Sequence, residues 1–82
     1  MLTGAQIRMA RGHLKWSVKQ LATKAGVGIS TVQRMESFDG VPACIASNIE
    51  AVQSTLEAQG VLFVDADASA GPGVRLRTAM TV

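Results

Sequence analysis

The sequence predicts a mainly α-helical fold, in which a bundle of four to five short helices is followed by a C-terminal β-hairpin. Three capping boxes begin at Thr3, Ser17 and Ser47, and each precedes a stretch in which apolar residues recur at helical spacing. Residues 61–64 are rich in valine and phenylalanine, and residues 74–77 alternate apolar and basic, as strands do.

Length and composition favour one compact unit with an aliphatic core. The chain has 82 residues, of which 48% are hydrophobic and only 4% aromatic. We divide it into a helical domain, residues 1–60, and a hairpin tail, residues 61–82. The single cysteine, Cys44, cannot form an internal disulfide, and neither a signal peptide nor a long apolar stretch is visible. A cytoplasmic location with no membrane partner is therefore expected.

The second and third helices are expected to be joined by a tight turn. Gly26 ends the second helix, because glycine readily adopts the left-handed conformation of a helix C-terminus. Only Val27 and Gly28 separate it from a third helix over residues 29–37. Two short helices joined in this way form a helix-turn-helix arrangement.

The segment after the third helix is predicted to hold the remaining helices. Pro42 can open a short helical turn through Ala46, which would be the fifth helix. The box that starts at Ser47 predicts a longer helix, and Gly60 ends it.

Charge is unevenly distributed along the chain. Residues 1–40 carry six basic and two acidic side chains, whereas residues 41–82 carry two basic and four acidic ones. A basic N-terminal half suits a polyanionic partner, although the same charges could simply solvate helices.

Residues 7–36 resemble the helix-turn-helix of the lambda-repressor and Cro group, also called the XRE family, and the similarity in spacing extends over residues 3–60. The strings WSVKQLATKAGVGISTVQRME and GVLFVDADASAGPGVRLR are similar to short members that append a small hairpin. The matching positions are Ile7, Arg11, Leu14, Trp16, Ser17, Leu21, Ala22, Lys24, Ala25, Gly26, Val27, Ser30, Thr31, Val32, Arg34, Met35 and Glu36. The resemblance implies a lambda-repressor-like bundle and a transcriptional regulator, a repressor or autoregulator, that binds double-stranded DNA sequence-specifically.

The resemblance implies that the helix over residues 29–37 is the recognition helix, which reads the major groove. The side chains expected to contact bases are Ile29, Ser30, Gln33 and Arg34. Arg34 can contact O6 and N7 of guanine together, Gln33 can pair with adenine, and Ile29 can touch only a thymine methyl group. The alternative is that Gln33 and Arg34 are ordinary solvated residues.

Phosphate contacts are expected at the start of the second helix, where backbone N–H groups point outward. The residues implied are Ser17, Val18, Lys19 and Thr31. Arg11 and Glu36 occupy positions that commonly pair in relatives, so they are expected to form a structural ion pair rather than to contact DNA.

Three departures from the family pattern predict a weakened phosphate clamp. Val18 stands where glutamine is frequent, and Gly28 replaces the usual serine or threonine cap. The loop over residues 38–40 is neutral to acidic where basic residues are common. Modest affinity per protomer is therefore expected, with dimerisation or a second partner to supplement it.

Enzyme chemistry is not indicated. His13 is the only histidine, Cys44 is the only cysteine, and the carboxylates are not clustered, so neither a zinc site nor a thiol nucleophile is predicted. We expect no catalytic residue, no metal and no cofactor.

The tail raises the question of partners. The run over residues 61–64 is apolar on both faces, and an exposed apolar strand edge is a liability unless it is paired. We hypothesise that the hairpin packs across a homodimer axis; the alternative is a hairpin folded onto its own helices.

A rival function is an antitoxin that masks a toxin with this tail, which a toxic reading frame beside the gene would indicate. A third is an adaptor that has lost DNA binding, which a weak salt dependence would favour.

Overall fold

A computed structural model of the chain describes residues 2–77 and confirms a mainly helical, lambda-repressor-like fold with a C-terminal hairpin. Its elements are α1 (Gly4–Leu14), α2 (Val18–Ala25), α3 (Ile29–Glu36), α4 (Ala46–Glu57), β1 (Val61–Val64) and β2 (Gly73–Leu76). The described part of the tail ends at Arg77, so residues 78–82 of the predicted tail lie outside it. None of the helices described is long and apolar enough to cross a membrane.

Helices α1 and α2 begin with the capping boxes that the sequence predicts. The Thr3 hydroxyl accepts a hydrogen bond from the Gln6 amide N–H at 3.2 Å, and the Gln6 side-chain oxygen accepts one from the Thr3 amide at 2.9 Å. Ser17 and Gln20 make the same exchange at 3.1 and 2.7 Å. Helix α2 ends at Gly26, whose φ of 71° lies in the left-handed region that strains residues with a side chain.

The start of α4 was predicted wrongly. The helix begins at Ala46 rather than after a cap at Ser47, and Ile45 occupies the N-cap position without a side-chain hydrogen bond. Both starting points direct the same apolar face inward, so helical spacing could not distinguish them. That face comprises Ile49, Val52 and Leu56. Ala46 and Ser47 are exposed, which lets water satisfy the first amide N–H groups of the helix.

The predicted helical turn from Pro42 to Ala46 does not form either. Residues 42–45 are irregular. The Cys44 amide donates to the Pro42 carbonyl at 3.0 Å, and a hydrogen bond between residues two apart is that of a γ-turn rather than of a helix. The bundle therefore has four helices over residues 2–77.

One aliphatic core joins the four helices and the first strand. All of its members are at most 6% exposed. They are Leu2, Ile7, Ala10, Leu21, Ala22, Val32, Met35, Ile49, Val52, Leu56 and Val61. The two strands pair antiparallel, with Val61 opposite Leu76 and Val64 opposite Gly73.

The hairpin lies on the helices of its own chain. Val61 is buried, and Phe63 packs against the core from the same face of β1. The side-chain amide nitrogen of Gln6 in α1 donates to the carbonyl oxygens of Val64 and Gly73, each at 2.9 Å. One buried glutamine thus connects the first helix to both strands.

Helix α1 also begins in direct contact with the loop that follows α3. The Gly4 amide donates to the Gly40 carbonyl at 2.9 Å. A Cβ atom on Gly4 would clash with the backbone carbonyl oxygens of Met35 and Phe38. Only glycine, which has no Cβ atom, lets the start of α1 approach the end of α3 this closely.

Candidate nucleic-acid interface

Helix α3 is amphipathic, with one face in the core and the opposite face in solvent. Val32 and Met35 are fully buried on the inner face. The outer face presents the four side chains that were predicted to contact bases. These are Ile29, Ser30, Gln33 and Arg34, and all four are exposed. The structure therefore brings them together on one accessible helical surface.

The connection between α2 and α3 is short and tightly hydrogen-bonded. The Val27 amide donates to the Ala22 carbonyl at 3.1 Å, directly after the left-handed turn at Gly26. Gly28 caps α3 without a side-chain hydrogen bond, as its lack of an acceptor requires. The orientation of α3 is set by this turn and by its buried face.

Arg11 and Glu36 form an ion pair between α1 and the end of α3. Arg11 Nη2 lies 2.8 Å from Glu36 Oε1, and Arg11 Nε lies 2.9 Å from Glu36 Oε2, which is a two-point contact. The hydrogen bond to Glu36 raises the pKa of the Arg11 guanidinium above its ordinary value. Arg11 Nη1 also donates to the Trp16 carbonyl at 3.1 Å. Arg11 thus ties three segments together and faces the protein.

Arg8 makes a second connection to the same end of α3. Its guanidinium donates to the Glu36 carbonyl oxygen and to the carboxylate of Asp39. The acidic residue in the loop after α3 is thereby neutralised by a neighbour, which the sequence pattern did not predict.

The positive charge of residues 1–40 is consequently carried by four side chains. Arg8 and Arg11 neutralise the two acidic residues of this segment, Asp39 and Glu36. The remaining cations make no ion pair within the part of the chain that the structure describes. They are Lys15, Lys19, Lys24 and Arg34. The net charge of this segment lies on α2, α3 and the turn before α2.

The start of α2 presents backbone rather than side-chain donors. The hydroxyl oxygen of Ser17 accepts from the Gln20 amide at 3.1 Å, so its acceptor function is used within the helix. The Val18 side chain packs against the core, which leaves only its amide N–H for a ligand. Lys19 is exposed, and Thr31 is half-buried on the neighbouring helix.

A groove between α3 and the start of α4 was not found by sequence reasoning. It has a volume of about 670 Å³ and is lined by Thr31 and Arg34 on one side. The opposite wall comprises Ala43, Cys44, Ile45 and Asn48. Arg34 also lines a second cavity, of about 340 Å³, beneath Phe38 and Val41. The helical spacing of residues in α3 predicts which side chains lie on its outer face. The opposite wall of the groove depends on the path of the loop before α4, which is set by tertiary contacts.

An amphipathic helix with an exposed polar face, set on a two-residue turn after a second capped helix, defines a helix-turn-helix DNA-binding fold. Residues 7–37 match the family model described as Helix-turn-helix. Comparisons with curated proteins and with solved structures gave no match. The family is one of DNA-binding regulators, not of enzymes. The match ends at Ser37, so α4 and the hairpin lie outside it.

Proposed function

We propose that this chain is a sequence-specific transcriptional regulator, a repressor or autoregulator, that reads the major groove of double-stranded DNA with α3. The observation that carries the proposal is the exposed outer face of α3, whose opposite face is anchored by Val32 and Met35. Repression is the simplest outcome for a small protein that occupies promoter DNA. The proposed compartment is the cytoplasm, where such DNA is found.

The base-contacting role is assigned to the outer face of α3. Arg34 supplies a forked pair of donors for guanine, and Gln33 supplies the donor and acceptor that adenine requires. Ser30 can bond to several bases, and Ile29 contributes an apolar surface at the N-terminal end of the helix. Each good two-point contact discriminates against a wrong base by about 1–3 kcal/mol.

The phosphate-contacting role is assigned to the start of α2 and to Thr31. The amide N–H of Val18, at the first position of α2, has no partner within the helix and suits an anion. The Ser17 amide already donates to Gln20 Oε1, so Ser17 can offer only its hydroxyl hydrogen. Lys19 stands in the same first turn, is exposed, forms no ion pair within residues 2–77, and adds a cation. Because Val18 contributes only backbone, the clamp relies on fewer side chains than relatives use.

The test is a fluorescence-anisotropy titration against duplex DNA from upstream of the gene, with scrambled duplex as the reference. Wild type is expected to prefer the upstream duplex, and Arg34→Ala to lose about tenfold or more in affinity for it. Arg77→Ala is the matched control, because Arg77 is an exposed arginine that follows β2, away from α3 and outside the paired strands. Equal binding to both duplexes, or an equal loss in the control, would contradict the assignment.

Salt dependence separates the two classes of contact. Lys19→Ala is expected to weaken binding to all duplexes alike and to reduce the slope of log affinity against log salt by about 1. Arg34→Ala should instead change the preference among sequences. A slope near zero for the wild type would argue against phosphate contacts altogether.

We propose that the active species is a homodimer whose axis passes near the hairpin. The outer face of β1 carries Leu62 and Val64, both exposed, opposite Arg75 and Gly73 on β2. Two adjacent aliphatic side chains on a strand of a small protein form a surface that a second copy can bury. Paired recognition helices would then read half-sites about 34 Å apart.

The dimer is tested by sedimentation of Leu62→Lys, which places a charge on that face and leaves the buried Val61 untouched. The variant is expected to be monomeric and to bind DNA with a shallower concentration dependence. A dimer that persists in Leu62→Lys would exclude this interface. Removing the whole hairpin is a poorer test, since Val61 belongs to the core and Gln6 bonds to both strands.

A further inference from the structure

The loop between α3 and α4 exposes more apolar surface than any other stretch adjoining the proposed interface. Phe38, Val41 and Ile45 are 59%, 43% and 70% exposed. The loop itself is held in place, because Arg8 bonds to Asp39 and the Gly4 amide bonds to Gly40. These side chains are therefore displayed by a fixed backbone.

The apolar surface is continuous with the outer face of α3. Arg34 lines both cavities along this loop, one with Ile45 and the other with Phe38 and Val41, and Ala43 is common to the two. A ligand held by Arg34 would therefore have Ile45 on one side and Phe38 on the other.

Charge distinguishes between possible occupants of this groove. Arg34 is the only charged side chain among the residues that line the two cavities, and it is a cation. The nearby carboxylate of Asp39 is neutralised by Arg8 and lines neither cavity. A groove that combines one cation with neutral polar and apolar side chains is compatible with DNA, whose major groove exposes guanine acceptors and thymine methyl groups side by side.

We infer that Ile45 is a specificity-determining residue that contacts a thymine methyl group next to the base pair read by Arg34. The inference rests on the proposed function of α3. In place of the basic side chains of related loops, the loop here contributes apolar contact to a base edge. The operator is accordingly expected to carry thymine beside the position recognised by Arg34.

The test begins with duplexes that wild-type protein enriches from a random pool. Each thymine of the enriched sequence is then replaced singly by deoxyuridine, which removes only the C5 methyl group. One replacement is expected to weaken wild-type binding about fourfold, the equivalent of burying one methyl group. In Ile45→Ala the same replacement is expected to cost nothing further, because the contact has already been lost.

Two matched variants make the result specific. Met9→Ala removes an exposed apolar side chain from α1, outside both the proposed DNA and dimer surfaces, so its deoxyuridine penalty should equal that of wild type. Ile29→Ala should abolish a penalty at a different thymine, since Ile29 lies at the opposite end of α3 from Arg34. Ile45 is largely exposed, so Ile45→Ala should retain the wild-type melting temperature. The deoxyuridine scan of wild type tests the thymine contact independently of any protein variant.

The outcomes are distinguishable from failure of the proposed function. If wild type enriches no sequence, both the proposed function and this inference fail. If a sequence is enriched but no deoxyuridine weakens binding, or every penalty survives in Ile45→Ala, α3 reads DNA and the inference alone is overturned. In that second case the groove would be free for a protein partner.

Discussion

The helix-turn-helix segment and the hairpin tail are stabilised by contacts of very different range. The boxes that begin α1 and α2 join residues three positions apart, from Thr3 to Gln6 and from Ser17 to Gln20. The hairpin is attached by the Gln6 side chain, which reaches carbonyl groups 58 and 67 positions away. The first region is thus specified locally, and the second depends on the first being folded.

The difference has a consequence for stability. The helices supply nine of the eleven core residues, Leu2 precedes α1, and Val61 is the single member from the tail. Few buried contacts hold the hairpin, so it is expected to open locally at lower free energy than α2 and α3. Substitutions in each region can abolish or measure this difference in local stability between the hairpin and the helices.

The largest effect is expected for Gly4→Ala. The added methyl group would overlap the carbonyl oxygens of Met35 and Phe38, which forces α1 away from the loop after α3. Overpacking and loss of the Gly4–Gly40 hydrogen bond together should lower the free energy of unfolding by about 3 kcal/mol, measured by urea denaturation. Gly12→Ala is the control: its Cβ meets nothing within 4 Å, and the change should stabilise α1 slightly.

If Gly4→Ala is as stable as wild type, the contact between α1 and the loop does not hold the helical region together.

Glu36→Gln should have the next largest effect. The substitution keeps the shape of the side chain but leaves the Arg11 guanidinium without its carboxylate partner. Because the Arg11 side chain is 25% exposed, the cost is expected to be about 2–3 kcal/mol rather than the full value for a buried pair. Arg34→Ala serves as the reference, since it removes an exposed charge and should leave the melting temperature nearly unchanged. A Glu36→Gln protein as stable as that reference would contradict the structural role.

Gln6→Leu separates the two regions. It leaves the carbonyl oxygens of Val64 and Gly73 without the Gln6 donor and the Thr3 amide without its acceptor at the start of α1, at a cost of about 2 kcal/mol. Hydrogen exchange followed by NMR should show faster exchange in β1 and β2, with the protection of α2 and α3 retained. Uniform loss of protection across the molecule would mean that hairpin and helices unfold as one unit.

The smallest effect concerns the loop between the strands. Hydrogen bonds from the Ser69 amide, the Ser69 hydroxyl and the Ala70 amide lower the pKa of Asp67 below its ordinary value of 3.8. The stabilisation from this carboxylate is therefore present above pH 3.8 and is lost as the pH falls through the lowered pKa. An NMR titration should show this midpoint, and Asp67→Asn should abolish the acid-dependent shifts of Ser69 and Ala70. An ordinary pKa for Asp67 would contradict the turn geometry.

Local signals explain which parts of the fold were predictable. The caps at Thr3 and Ser17 and the left-handed Gly26 each act over a few residues, so the sequence indicates them directly. The start of α4 was misplaced because Ser47 and Glu50 have the spacing of a capping box, whereas the helix already begins at Ala46 and has no side-chain cap. Gly4 and Gln6 carry no local sign of their distant partners.

The candidate site divides in the same way. Helical spacing places Ile29, Gln33 and Arg34 on one face, and the structure shows that face exposed. The wall formed by Ile45 and Asn48 depends on the path of an irregular loop, which no periodicity describes. The DNA contacts themselves remain predictions.

Trp16 has a practical consequence for every experiment above. It is the only tryptophan of the chain, it packs against the core between α1 and α2, and the ammonium group of Lys24 lies 5.2 Å from the centre of its ring. A phosphate that drew Lys24 off the indole would alter its emission. The molecule therefore contains its own fluorophore beside the proposed DNA backbone contacts, and binding can be followed without a label on either partner.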